Sequence, residues 1–289
     1  MNIIHTVDDL KNLLTKIKSA HSTVGFVPTM GALHNGHISL MEASKQQTDV
    51  TVVSIFVNPT QFNNPEDFRR YPIQTENDFE LLRNKSCDIV FIPTAQEIYP
   101  RGTDRLIHYY LGYLETILEG KYRPGHFQGV CQIVDRLLDI VEPDKLFLGQ
   151  KDLQQCKVID RLLEITGRKE KIKLIICPTV REDDGLAMSS RNQRLTASER
   201  KTSVAIFDAL SEIKKLYGSE TFSRIRYKLQ NKLDQKGINV EYLELVNTET
   251  LEILDDWPVA ESMISATACI AAYLDKVRLI DNMILHTVQ

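Results

Sequence analysis

Short apolar runs rich in β-branched residues recur along the first part of the chain, each followed closely by proline or glycine. The longest, Val50–Val57, is apolar or β-branched at nearly every position, which is typical of a strand buried on both faces of a sheet. Because such a strand needs other elements packed on both faces, this run constrains the chain to a layered architecture. The four shorter runs are Val24–Val27, Cys87–Ile92, Lys145–Leu148 and Ile172–Cys177.

Helical periodicity fills the intervals between these runs. The apolar residues of Leu10–Ile17 lie at the spacing of one helix face and follow a capping-box variant that starts at Thr6. Strands that alternate with helices predict a Rossmann-like α/β fold, in which a mostly parallel sheet has helices on both faces and ligands bind outside the carboxyl ends of the strands. The other predicted helices begin near Ile38, surround Phe79 and Leu82, and cover Val130–Leu138 and Leu153–Ile165.

The pattern changes after the charged turn Arg181–Gly185. Two helical stretches, the first preceded by a capping box at Thr196–Glu199, are followed by alternating runs typical of antiparallel strands. We therefore predict a Rossmann-like domain over residues 1–182 and a smaller α+β domain over residues 183–289. The predicted helices are Val204–Tyr217 and Phe222–Leu233, and the predicted strands are Val240–Val246, Ser262–Tyr273 and Val277–Ile284.

Composition excludes several classes of partner. The formal net charge is −4 and no long basic run is present, whereas a protein that grips nucleic-acid phosphates needs a basic face. No stretch approaches the roughly 20 apolar residues of a membrane helix, and Met1–Leu10 lacks a signal-peptide pattern. We expect no nucleic-acid and no membrane partner.

The cysteines argue against a disulfide scaffold and a zinc ribbon, because they are odd in number, scattered and never in a C-x-x-C pair. This usage predicts buried thiols in a reducing cytoplasm. The five are Cys87, Cys131, Cys156, Cys177 and Cys269.

The run Pro28–His37, with the sequence PTMGALHNGH, follows the first apolar strand and precedes a helix. Gly31 and Gly36 allow a tight turn and close approach of a ligand to the backbone. The helix N-terminus offers main-chain N–H groups, and His34 and His37 add donors that carry little obligatory charge, so the run suits a polyphosphate. The alternatives are two incidental loop histidines or a metal site, although no cysteine or acidic residue lies at a ligand spacing nearby.

These residues resemble the signature of the nucleotidylyltransferase-like α/β superfamily and, more narrowly, that of the pantothenate synthetase (pantoate–β-alanine ligase) family. Four further segments match that family's motifs in order and at similar spacing, so the resemblance covers most of the chain. They are Phe56–Phe62, Arg123–Val130, Phe147–Gln155 and Met188–Asn192.

The resemblance implies an enzyme that condenses (R)-pantoate with β-alanine at the expense of ATP, giving pantothenate, AMP and pyrophosphate through a pantoyl-adenylate. The product is the vitamin B5 precursor of coenzyme A. The resemblance further implies Mg²⁺ bound with ATP, a cytoplasmic homodimer formed through the larger domain, and a smaller domain that acts as a lid. Metal contact by the protein is expected only at Asp152, with Mg²⁺ held mainly by the ATP phosphates.

The motif positions supply the predicted site. The catalytic set, assigned to the phosphates, is His34, His37, Lys151, Ser189, Ser190 and Arg191. The predicted ATP-binding residues are these six together with Pro28, Thr29, Met30, Gly31, Gly36, Gly149, Asp152, Val180 and Met188. The predicted pantoate and β-alanine residues are Met30, Asn58, Gln61, Arg123 and Gln155.

Each segment also has a physical interpretation of its own. Asn58 and Gln61 follow the most apolar strand, so we expect their amides to project into a cleft at the strand end and bind a small polar substrate. Lys151 brings positive charge for a phosphate. Met188–Asn192 resembles the Lys-Met-Ser-Lys-Ser loop of related adenylate-forming enzymes and is suited to closing over leaving phosphates. Taken alone, these segments also fit a strand-ending turn, an exposed ion pair and an ordinary loop.

Three other functions share part of this pattern. A nucleotidylyltransferase that acts on a phosphorylated acceptor would have the histidine loop without the segments at Asn58 and Lys151. An aminoacyl-tRNA synthetase would need a tRNA-binding domain, which the net charge does not favour. A non-catalytic module would bind ATP without turnover.

Overall fold

The computed structural model describes residues 1–62, 64–103, 106–258 and 264–286. The chain forms two compact units, the first made of Met1–Gln150 and Gln155–Pro178 and the second of Lys151–Gln154 and Thr179–Gln289. The predicted boundary after residue 182 and the role of the smaller domain as a lid stay predictions. Within the described ranges, no helix combines the length and apolar character needed to cross a membrane.

The first unit is built on a six-stranded sheet of order β1-β4-β3-β2-β5-β6, in which all the strand pairs are parallel. The five apolar runs of the sequence are confirmed as strands β2 to β6. Strand β1 was not predicted, because three residues with mostly exposed side chains carry no apolar pattern. The strands are β1 Asn2–Ile4, β2 Val24–Thr29, β3 Val50–Ile55, β4 Ile89–Phe91, β5 Lys145–Gly149 and β6 Lys173–Cys177.

Helices flank this sheet and connect its strands. Helix α2 begins at Asn35 rather than near Ile38, because the side chain of His34 caps it. Buried residues of α2, such as Met41, pack with Val27 of β2 and Leu82 of α4 in one apolar cluster. The helices are α1 Val7–Ser19, α2 Asn35–Gln47, α3 Pro65–Arg69, α4 Thr75–Asn84, α5 Ala95–Ile98, α6 Leu118–Tyr122, α7 His126–Val141 and α8 Leu153–Ile165.

The second unit packs two helices on an antiparallel sheet of order β7-β8-β9. This confirms the predicted α+β composition, and Thr196 and Glu199 form the predicted capping box. The predicted strand from Ser262 starts in residues outside the described ranges, and the observed strand begins at Ala266. The elements are α9 Ala197–Lys215, α10 Phe222–Asp234, β7 Ile238–Asn247, β8 Ala266–Leu274 and β9 Val277–His286.

Replacing Gly129 with alanine should destabilise the protein, because this residue lies where α7 touches the turn after β3. A Cβ atom there would lie 2.2 Å from the main-chain oxygen of Thr60. Overpacking of this kind costs about 1–3 kcal/mol of unfolding free energy, which urea denaturation measures. Gly149→Ala is the matched control, since its Cβ would meet no atom within 4 Å. Equal stability of the two variants would contradict the packing interpretation.

Candidate functional site

The order of the parallel sheet brings most of the predicted residues of the first unit to the carboxyl ends of neighbouring strands. The chain passes from β2 to β3 on one side and later places β5 on the other side of β2. Ligands of open parallel sheets bind outside the carboxyl ends of the strands at such a reversal. The predicted residues at the ends of these three strands or in the segments that follow them are Pro28, Thr29, Met30, Gly31, His34, Gly36, His37, Asn58, Gln61, Gly149 and Gln155.

The segment between β2 and α2 turns sharply at two residues in the left-handed region. Gly31 has φ +79° and Ala32 has φ +49°. A non-glycine residue adopts such a φ only where surrounding contacts hold it there. The turn leads directly to His34, which has extended backbone and forms the N-cap of α2.

Both histidines accept main-chain hydrogen bonds through Nδ1. The N–H of Gly36 donates to Nδ1 of His34 at 3.1 Å, and the N–H of His34 donates to Nδ1 of His37 at 3.3 Å. A ring nitrogen that accepts carries no proton, so each ring is neutral with its proton on Nε2. The ring centroids lie 4.1 Å apart. The pair therefore presents two neighbouring N–H donors without a fixed positive charge.

This geometry corrects one expectation about the helix N-terminus. We expected its main-chain N–H groups to be unpaired and open to an anion, but those of Gly36 and His34 are bonded to imidazole nitrogens. The reason is that histidine, like the usual capping residues, has an acceptor within reach of the first turn. At these two positions the main-chain N–H groups are therefore already paired with ring nitrogens.

Asp78 of α4 holds this turn, and sequence reasoning missed it. Its carboxylate accepts the N–H of Ala32 at 2.9 Å and the N–H of Leu33 at 2.7 Å. The side chain is buried, and burial raises the pKa of Asp78 although both hydrogen bonds act to lower it. One sequence clue existed, because Asp78 lies four residues before Leu82 and shares its buried helix face.

Asn58 is oriented differently from the expectation that its amide projects into a cleft. The residue is completely buried, Tyr99 donates its hydroxyl to Oδ1 at 2.9 Å, and Nδ2 donates to the main-chain oxygen of Gly129 at 3.0 Å. Nδ2 also lies 3.3 Å from Oε1 of Gln61. The buried amide is satisfied by protein groups, and it orients Gln61.

Gln61 joins three of the predicted pantoate and β-alanine residues into one cluster. Its Nε2 donates to Sδ of Met30 at 2.9 Å. Its main-chain oxygen accepts from Nδ1 of His126 at 2.7 Å, and Nε2 of the same ring accepts from Arg123 at 3.0 Å. Arg123 also pairs with the carboxylate of Glu119 at 3.5 Å. His126, which was not predicted as a site residue, thus links Arg123 to Gln61.

The remaining predicted residues belong to the second unit. Lys151 has its Nζ 3.4 Å from a carboxylate oxygen of Asp152, and the Asp152 side chain is 43% exposed. The N–H of Met188 donates to the main-chain oxygen of Val180 at 3.0 Å, which closes the turn between them. Ser189 accepts the N–H of Arg191 and caps the short 3₁₀ helix Ser190–Arg194. Both segments are therefore ordered by local hydrogen bonds.

The donor set around Asp152 fits what Mg²⁺ requires when a nucleotide is present. Among the described residues, no three or more histidine, cysteine or acidic side chains converge on a common point. Mg²⁺ is commonly bound by one or two carboxylates, substrate phosphates and water. A half-exposed carboxylate beside a lysine matches that pattern, with most ligands supplied by the nucleotide.

Comparison with known proteins identifies relatives over nearly the whole chain. The family model for pantoate-beta-alanine ligase matches residues 2–284. A pantothenate synthetase from Cytophaga hutchinsonii is 46% identical over 285 residues, which cover 98% of each chain. One from Thermotoga neapolitana is 41% identical over 288 residues, covering 99% of this chain and 100% of that protein.

Solved structures of proteins with these names also match nearly the whole chain. The pantothenate synthetase of Thermus thermophilus superposes with a TM-score of 0.89 at 36% identity, covering 99% of this chain and 100% of that one. The pantoate-beta-alanine ligase of Francisella tularensis, solved with beta-gamma ATP and beta-alanine, gives 0.82 at 37% identity, covering 99% and 98%.

Changing Asp78 to asparagine should loosen the turn before α2. An amide has one acceptor oxygen, so at least one of the Ala32 and Leu33 N–H groups loses its partner, and its hydrogen exchange should become about tenfold faster. Amide exchange resolved by NMR measures this, with the N–H groups of strand β5 as the internal control. Unchanged exchange at both residues would show that the carboxylate does not hold the turn.

Proposed function

Because this chain belongs to the pantoate–β-alanine ligase family, we propose that it makes pantothenate in two steps at the sites described above. It is an enzyme of the ligase class that forms a carbon–nitrogen bond. In the first step the carboxylate of (R)-pantoate attacks the α-phosphorus of ATP, which gives pantoyl-adenylate and releases pyrophosphate. In the second, the amine of β-alanine attacks the acyl carbon, and AMP leaves as pantothenate forms.

The observation that carries this proposal is the pair of neutral imidazoles at the start of α2. A carboxylate is a poor electrophile, so amide formation at neutral pH requires its activation. The Nε2–H groups of His34 and His37 supply two closely spaced donors for phosphate oxygens on which charge builds up during adenylate formation. An electrostatic role suits His37 better than proton donation, since the leaving pyrophosphate needs neutralisation more than a proton.

The other phosphate groups are assigned to the second unit. Lys151 contributes a positive charge, and Ser189, Ser190 and Arg191 contribute hydroxyl and guanidinium donors. Catalysis then consists of positioning and charge stabilisation, and no covalent enzyme intermediate is required. The remaining ATP contacts are assigned to the main chain and side chains of Pro28, Thr29, Met30, Gly31, Gly36, Gly149, Asp152, Val180 and Met188.

Pantoate and β-alanine are assigned to the cluster around Gln61. The contact between Gln61 and Met30, and the link through His126 to Arg123, support a shared polar and apolar subsite. Asn58 contributes by holding Gln61, and Gln155 lies in the first turn of α8, after β5. The Francisella tularensis relative was solved with β-alanine, which supports the same second substrate here.

Mg²⁺ is proposed as the metal that accompanies ATP, and Asp152 would supply a protein carboxylate for it. When bound, Mg²⁺ would neutralise charge on the phosphate oxygens. Lys151 lies beside Asp152 and helps to orient its carboxylate.

We also propose a cytoplasmic homodimer. All five cysteines are buried free thiols, and burial raises the pKa of Cys87 to about 12, which keeps that thiol protonated and unreactive. Such thiols suit a reducing compartment. The dimer follows from the family resemblance, and sedimentation equilibrium would measure it.

Isotope transfer tests the chemistry directly. With ¹⁸O in the carboxylate of pantoate, adenylate formation leaves one labelled oxygen in AMP, and mass spectrometry detects it. AMP release should also require β-alanine. Unlabelled AMP would rule out a pantoyl-adenylate. AMP formed without any need for β-alanine would favour a hydrolase, whereas pyrophosphate release without free AMP would favour a nucleotidylyltransferase, which leaves the nucleotide on its acceptor.

Removing the distal donor of His37 should slow adenylate formation without unfolding α2. His37→Asn keeps an acceptor for the N–H of His34 but lacks the outer N–H, and we expect kcat for pantoate-dependent pyrophosphate–ATP exchange to fall about 10²–10³-fold. His37→Gln places an amide near the Nε2 position and should recover part of the rate. If His37→Asn exchanged within a few-fold of the parent enzyme, the electrostatic role would be excluded.

A further inference from the structure

Two adjacent polar residues of β9, Asp281 and Asn282, are buried in the second unit, at 4% and 3% exposure. Adjacent residues of a strand point to opposite faces, so these two side chains serve different contacts. Burying a carboxylate or an amide is costly unless its hydrogen bonds are satisfied, and apolar residues would fill a strand interior at lower cost. Their contacts therefore call for an explanation.

Asp281 grips Arg181, the residue that opens the turn before Met188. The guanidinium donates to both carboxylate oxygens, at 2.6 and 3.0 Å. It also donates to the main-chain oxygens of Gly185 and Asn282 and lies over the ring of Phe207 at 4.8 Å. Because the guanidinium group is planar and is bound at all of these points, its orientation is fixed.

Arg181 in turn sets the segment that carries the proposed phosphate donors. It pairs with Ala187 as an isolated antiparallel bridge, and Val180 and Met188 bond across the same turn. Ala187 also accepts from Nδ2 of Asn192 at 3.0 Å. These hydrogen bonds fix the main chain on both sides of Ser189. The turn that makes them is itself anchored by the ion pair between Arg181 and Asp281.

Asn282 holds the second proposed phosphate segment. Its Nδ2 donates to the main-chain oxygen of Lys151 at 2.9 Å. Its own N–H donates to Oδ1 of Asp281 at 2.7 Å, and its main-chain oxygen accepts from Arg181 at 3.2 Å. One stretch of β9 therefore contacts both Lys151 and the turn before Ser189.

We infer that Asp281 and Asn282 are positioning residues for adenylate formation, which set the distance between Lys151 and the Ser189–Arg191 segment. This inference rests on the phosphate-binding roles proposed above. Charge stabilisation in a transition state depends on donors held at a fixed place, and a displacement of about 1 Å can cost 10²-fold in rate. Strand β9 provides the rigid element from which both donor segments are held.

The test is a double-mutant cycle with Asn282→Ala and Lys151→Ala, read by pantoate-dependent exchange of labelled pyrophosphate into ATP. Asn282→Ala alone should lower kcat about tenfold and leave the KM for pantoate unchanged, because the pantoate groups lie elsewhere. In the Lys151→Ala background, Asn282→Ala should cause little further loss, since the side chain that it positions is absent.

A matched control separates positioning from loss of stability. Ile225→Val removes one methyl group from the buried core of the same unit and should cost about 0.5–1.5 kcal/mol of stability, while exchange stays within about twofold of the parent. Arg181→Lys is the second variant, because it keeps a charge opposite Asp281 but loses the two-point grip, and it should also lower kcat about tenfold. Thermal unfolding of every variant establishes that it is folded.

The outcomes are distinct. Parental exchange by Asn282→Ala, or an equal loss in the presence and absence of Lys151, overturns the inference while the proposed function stands. If the parent enzyme itself shows no pantoate-dependent exchange, the proposed function fails and the inference fails with it. A loss at Asn282 that disappears in the Lys151→Ala background supports both.

Discussion

The proposed chemistry depends on the hydrogen bonds between two imidazole rings and the main chain at the start of α2. These bonds cap the helix and also fix the orientation of the rings. Because His34 and His37 both accept through Nδ1, their protons are confined to Nε2 as long as the helix is capped. The capping hydrogen bonds and the location of the ring protons therefore depend on each other.

Buried carboxylates serve the same purpose in each unit. Asp78 accepts two main-chain N–H groups beside the histidine turn, and Asp281 accepts two guanidinium N–H groups below the turn before Met188. Burial raises the pKa of both groups, so the ionised forms carry a desolvation cost. The carboxylate offsets that cost because its two oxygens accept both hydrogen bonds, whereas an amide of the same shape has only one acceptor oxygen. In both cases the carboxylate orders a loop and does not itself need to reach a substrate.

The central strand β3 could be predicted because it is buried on both faces, and its apolar run Val50–Val57 can be recognised without tertiary information. The run Ile172–Cys177 also contains its observed strand, although only Cys177 of that strand is buried. Strand β1 has no such pattern, since its three residues are mostly exposed. The start of α2 was misplaced by three residues because histidine is not among the usual N-cap residues. The periodicity of apolar residues thus does not predict the end of a helix where the boundary is set by one capping side chain.

In the candidate site, too, the motif residues could be predicted from the sequence, but the groups that orient them could not. The segment Arg123–Val130 was recognised as a motif, and Arg123 was predicted from it as a pantoate or β-alanine residue. Its Gly129 has a different reason to be glycine, because α7 approaches the turn after β3 so closely that a Cβ would collide with Thr60, and the main-chain oxygen of Gly129 then receives the amide of Asn58. Asn58 in turn faces Gln61. A motif of this kind therefore includes residues that make room for the side chains proposed to bind ligands. Sequence spacing cannot distinguish residues that contact a ligand from residues that support them. For Asn58 the deciding partner is the main-chain oxygen of Gly129, which lies 71 residues away in the sequence.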